Sequence, residues 1–143
     1  MEVNFYQIDI IDHRLIAGLL LKIREEGKRV LIYSKNREIL KQIDDGLWSF
    51  SKTKFLPHAT GWDNFNPLDQ IIFLTDVENN ENNAQFLITT DSINDDFLKN
   101  FEKVFYFFDE TSILQAREIY LNYKKKSIIV NSYKKENDKW IKS

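Results

Sequence analysis

Within its first fifty residues the chain alternates strand and helix signatures across joints only a few residues long, and that alternation leaves little choice of architecture. Residues 3–9 (VNFYQID) alternate apolar and polar positions and carry aromatic rings, a strand pattern. Asp12 is placed to cap a helix whose Leu15, Ile16, Leu19, Leu20 and Ile23 share one face, and Gly27 suits the left-handed position beyond its end. Residues 28–33 (KRVLIY) form a second strand, apolar enough at Val30, Leu31 and Ile32 for burial on both faces. A second helix over 36–47 carries Ile39, Leu40, Ile43 and Leu47 on one side. Strands linked in this way build a parallel sheet covered by helices, so the expected fold class is α/β.

The rest of the chain continues the pattern less regularly. Lys54-Phe55-Leu56 reads as a short third strand closed by Pro57-His58, and residues 59–69 have loop chemistry. Residues 70–74 and 85–90 read as strands around an acidic, Asn-rich loop, 76–84, expected to be exposed and mobile. A short helix near 94–100 precedes the apolar strand 103–108, with Val30–Ile32, Ile71–Leu74 and Val104–Phe107 expected in interior strands. Ser112 and Gln115 fit a capping box for a helix reaching Lys125. A last strand over 127–133 leads into a polar tail containing Trp140. No repeat or long linker divides the chain, so residues 1–143 read as one domain.

Composition narrows the chemistry. With no cysteine, the chain has no disulfide framework, Cys-ligated zinc or thiol nucleophile. No apolar run approaches the roughly 20 residues that span a bilayer, and no basic segment leads into an apolar one at Met1, so a cytoplasmic protein without membrane contact is expected. No GxxxxGK[ST] or G-x-S-x-G occurs, and the turn after the first strand lacks the glycines that let a pyrophosphate approach. His13 and His58 are too few for a His-rich metal site, and His58 is expected to bond locally rather than catalyse. Asp44-Asp45 and Asp95-Asp96 diverge as helix neighbours do. No catalytic residue, cofactor or metal is expected. Residues 63–112 hold 2 basic and 11 acidic side chains, whereas 117–143 hold 8 and 3. The basic end suits an acidic partner.

Several segments in order carry a resemblance: Asn4-Phe5-Tyr6, Gly27-Lys28-Arg29-Val30-Leu31-Ile32, Ile43-Asp44-Asp45-Gly46-Leu47-Trp48, Phe55-Leu56-Pro57-His58, and Ala116-Arg117-Glu118-Ile119-Tyr120-Leu121-Asn122-Tyr123. At these intervals the chain resembles the chi subunit family of bacterial DNA polymerase III holoenzyme. The resemblance implies a three-layer α/β/α Rossmann-like domain with a mostly parallel sheet and no nucleotide site. It also implies a non-catalytic accessory subunit in DNA replication. Such a subunit links the clamp loader, through psi or an equivalent partner such as a repair helicase, to the acidic C-terminal tail of single-stranded DNA-binding protein. DNA is reached indirectly, through partners.

Carried over residue by residue, the resemblance puts Trp48, Arg117, Tyr120 and Lys124 at the tail site and Phe55 at the psi or helicase surface. Arg117 is one of five arginines beside fifteen lysines, and its guanidinium can hold a carboxylate in bidentate fashion. Tyr120 and Lys124 follow it on one helical stripe. Trp48 would wall a terminal phenylalanine ring, with Tyr106 and Phe107 as further candidates for the same pocket. Lys124, Lys125 and Lys126 complement a helix C-terminus and would steer an acidic tail. Two other readings stand beside this one: a small Rossmann-like hydrolase or nucleotide-binding enzyme, and a direct single-stranded DNA binder using exposed aromatics and the C-terminal lysines.

Overall fold

A computed structural model describes residues 1–10, 12–50, 56–137 and 139–143. Strand β1 (Glu2–Gln7) leads through helix α1 (His13–Glu25) to β2 (Val30–Tyr33), and α2 (Arg37–Ser49) leads to β3 (Ala59–Thr60). Then come β4 (Ile72–Thr75), β5 (Phe86–Thr89), the single turn α3 (Asp95–Leu98), β6 (Lys103–Phe108), α4 (Ile113–Lys125), β7 (Ile129–Glu136) and β8 (Lys139–Lys142). The eight strands form one sheet in the order β3-β4-β2-β5-β6-β1-β7-β8, parallel except for β8, which runs antiparallel to β7. Helices α1 and α2 pack on one face, where Ile16, Leu20, Leu40 and Leu47 meet Val30, Ile32, Phe105 and Phe107. Helices α3 and α4 pack on the other, where Phe97, Ala116 and Tyr123 meet Phe5, Leu31 and Tyr106. This is a three-layer α/β, Rossmann-like fold, and β2, β4 and β6 lie in its interior as their apolar runs require.

Local chemistry sets the helix ends. The Asp12 carboxylate accepts from the Arg14 N–H at 2.9 Å, and the Asn36 side chain accepts from the Glu38 N–H at 3.0 Å. Gly27, at φ 71°, provides the left-handed exit from α1. Helices α1 and α2 approach so closely that a Cβ at Gly46 would collide with the Cβ and Cγ of His13.

Four expectations need correction. The edge strand is Ala59–Thr60, at the start of the stretch expected to be loop. Leu56 is buried in coil, and Lys54 and Phe55 lie outside the described residues. The capping box at the start of the fourth helix is one turn earlier, in a 3₁₀ turn. There the Asp109 carboxylate accepts from the Thr111 N–H at 2.9 Å and the Ser112 hydroxyl accepts from the Asp109 N–H at 3.2 Å. The loop 76–84 is docked: Asn82 is fully buried and its amide donates to the Val30 and Gln70 carbonyls at 3.1 Å. Arg29 gathers the Leu68, Gln70 and Asn82 carbonyls on one guanidinium nitrogen, which ties that loop to the one before β4. The tail after 133 is not a tail but half of a hairpin, turned at Asn137 with φ 50°.

Candidate functional site

A doubly wound sheet offers a ligand crevice where adjacent strands send their connections to opposite faces. Here one such point lies between β2, which leads to α2, and β5, which leads to α3, and another between β6, which leads to α4, and β1, which leads to α1. Asp91 occupies the β2–β5 point: its Oδ2 accepts from the Ser34 hydroxyl at 3.0 Å and from the Lys35 N–H at 2.8 Å. The main-chain donor that a phosphate would need is engaged, and the carboxylate would repel the phosphate.

The accessible chemistry lies at α4. Its 3₁₀ lead-in is fixed by Asp109, whose carboxyl is held below its usual range first by the Thr111 hydroxyl and then by the other donors of that turn. Ile113, Ala116, Tyr120 and Tyr123 face the sheet, and burial pushes the Tyr123 phenol up to about 12. Arg117 and Leu121 stand at the rim of that stripe, one turn apart and exposed. Together with Tyr120 they open onto a cavity of about 400 Å³ floored by Phe5 and Phe108 and closed on its far side by Ser132 and Ser143. Tyr120 is held edge-on to Phe5, with ring centres 5.4 Å apart. Among the described residues Arg117 makes no ion pair, and no acidic side chain lines the cavity. The site is an apolar hollow with an unneutralised guanidinium at its edge. Lys124 is one turn beyond Leu121, exposed and outside the lining.

Trp48 is elsewhere. It is on α2, in the opposite layer from α4, so the expectation of one pocket shared by Trp48, Arg117 and Tyr120 does not hold. The indole is 52% exposed yet fixed. Its Nε1–H donates to Asp44 Oδ1 at 3.1 Å, and its ring lies 4.3 Å from the ring of His58. The His58 Nε2 is 2.8 Å from the same Asp44 oxygen and its Nδ1 is 2.7 Å from the Leu56 carbonyl. His58 is thus a buried positioning group for Trp48, the local bonding role its sequence context suggested. Phe55 lies outside the described residues. Tyr106 and Phe107 are core residues, each 2% exposed, and neither lines the cavity at Arg117.

Leu121, Phe5, Phe108 and Ser132 were not legible as site residues. An exposed leucine four positions after Arg117 is a usable signal. The others reach the cavity through the register of β1 with β6 and β7, where Gln7 is opposite Phe108 and Phe5 is opposite Ser132.

Fold and site together define a doubly wound α/β protein whose β2–β5 crevice is filled from within by Asp91 and which carries an apolar pocket against an outer helix. The family model described as DNA polymerase III chi subunit, HolC, matches residues 1–131, and the chain belongs to that family. No curated protein matches it. The match places the chain among accessory subunits of the replicative polymerase, and it ends inside β7, before the hairpin turn and β8.

Proposed function

We propose that this chain is a non-catalytic adaptor of DNA polymerase III that grips the acidic C-terminal tail of single-stranded DNA-binding protein through the α4 pocket. It joins that tail to the clamp loader, through psi or an equivalent partner such as a repair helicase, in the cytoplasm. One observation carries the reading: an arginine with no ion pair among the described residues, beside an apolar hollow whose lining holds no acidic side chain. A tail that ends in a carboxylate and an aromatic ring needs a cation adjoining an apolar recess, and Arg117 with Tyr120, Leu121, Phe5 and Phe108 supplies both. Lys124 attracts the tail's aspartates from outside the hollow without fixing their geometry. The second partner takes the opposite layer. Trp48, held rigid by Asp44 and His58, is an anchor of the kind that loses little entropy on binding, and Phe55 follows it by seven residues.

The test is calorimetric titration with an acidic peptide ending in proline–phenylalanine. Arg117→Ala weakens binding by about 2 kcal/mol, the loss expected of a charge-assisted contact at a hot spot. The same peptide without its last phenylalanine does not bind. Unchanged affinity in Arg117→Ala overturns the assignment.

A further inference from the structure

On the opposite side of the sheet from that pocket, the β7–β8 hairpin extends β1 past the reach of α1 and leaves a groove. Two adjoining cavities of about 290 and 230 Å³ share Leu15 and Trp140 as walls, so they form one continuous channel between α1 and the hairpin. Its floor is aromatic. Tyr6 stacks on Tyr133 with ring centres 5.0 Å apart and on Phe107 at 5.3 Å, and Trp140 stands across this ladder at 79° to Tyr6. Its walls are basic. Arg14 and Lys22 rise from α1, and Lys135 lies across from Trp140 with its Nζ 5.9 Å from the ring centre. Lys142, opposite Tyr133 in the β7–β8 register, is on the same sheet face just outside the lining. Among the described residues none of these four cations makes an ion pair. Asp9 and Asp12 line only the smaller cavity, and Asp12 is already engaged as the helix cap.

Gly18 makes the groove more than a gap between elements. It sits in the middle of α1, where glycine weakens a helix relative to alanine. Close packing does not account for it, because a Cβ there would meet nothing within 4 Å. It lines the larger cavity. The missing side chain keeps that part of the groove open.

We infer that this groove holds a single strand of nucleic acid, with bases against Trp140 and the Gly18 opening and phosphates along Arg14, Lys22, Lys135 and Lys142. The choice over an acidic peptide follows from the lining: the Trp140 ring lies between cations of α1 and of the hairpin, an arrangement that suits bases alternating with phosphates. A stacked base keeps its polar edge in water. Arg14 and Lys22 are eight residues apart, about 12 Å along the helix, which spans several phosphates at about 3.4 Å per stacked nucleotide. The α1 wall and the floor lie within the family match and the Trp140 wall lies beyond it, and the proposal does not depend on the adaptor reading.

Fluorescence anisotropy of a labelled oligothymidylate of about 12 nucleotides with the full chain at low salt tests this. The parent binds, and affinity falls steeply as salt is raised. Lys22→Glu and Gly18→Leu each weaken binding about tenfold or more, while Arg117→Ala does not. Gly18→Ala raises the melting temperature, which shows that the glycine is not there for the fold, and Gly18→Leu still melts cooperatively. No binding at low salt, or binding that Lys22→Glu and Gly18→Leu leave unchanged, overturns the proposal. Loss in Gly18→Leu of binding to a labelled polyglutamate chain, with the oligothymidylate inert, overturns it in favour of an acidic peptide.

Discussion

Trp48 and Arg117 both stand exposed on outer helices, yet the molecule holds them in opposite ways. Trp48 is pinned: Asp44 takes its N–H, and the buried ring of His58 lies against it. Arg117 has no ion pair among the described residues and stands at the edge of an apolar hollow. A pinned ring presents a fixed shape and suits a partner that is itself shaped. An unpaired guanidinium presents charge and reach, and suits a flexible chain end that carries its own carboxylate. Because the two lie on opposite faces of one sheet, two partners have room to bind at once.

The contrast breaks first at His58. His58→Ala removes a buried ring, leaves the Leu56 carbonyl without its side-chain partner and leaves Asp44 with the Trp48 N–H alone, at a cost of about 2–3 kcal/mol in urea unfolding. Affinity at the Arg117 pocket stays unchanged. Equal loss at both surfaces would show that the two layers are not independent. Gly46→Ala is next: the added methyl must displace His13, destabilising the α1–α2 pair by about 1–3 kcal/mol, read from the same unfolding curves.

These two sites also mark what the sequence could and could not reveal. The first two strands and helices were legible because Asp12, Gly27 and the apolar stripe of α1 agree on one boundary and one face. The final strand was not, because Lys139-Trp140-Ile141-Lys142 is a lysine-guarded edge that resembles a polar tail. The edge strand escaped notice for a related reason: Ala59-Thr60 is too short to show a pattern, and Leu56, buried in coil, is apolar without being in a strand. Arg117 and Tyr120 share a helix, so spacing brings them together. Trp48 and Arg117 are joined only through the sheet, and the layer each helix takes depends on a strand order that no local pattern encodes.

Smaller effects sharpen the picture. Asp109→Asn costs about 1 kcal/mol by weakening the turn that starts α4. The Asp109 carboxyl is depressed in the folded state, so its stabilisation is present above the unfolded carboxylate pKa and fades as pH falls through the folded value. The difference between parent and variant in thermal melts therefore shrinks on acidification. Lys124→Ala changes tail affinity by only a few tenths of a kcal/mol and acts mainly on its salt dependence, because the ammonium lies outside the hollow.

Residue-resolved NMR during titration with the acidic proline–phenylalanine peptide tests the separation of the two surfaces most directly. The account predicts shifts that saturate together at Arg117, Tyr120, Leu121 and Ser132, while the Trp48 indole N–H stays where it was. A Trp48 indole that moves with the peptide while α4 is silent would contradict it.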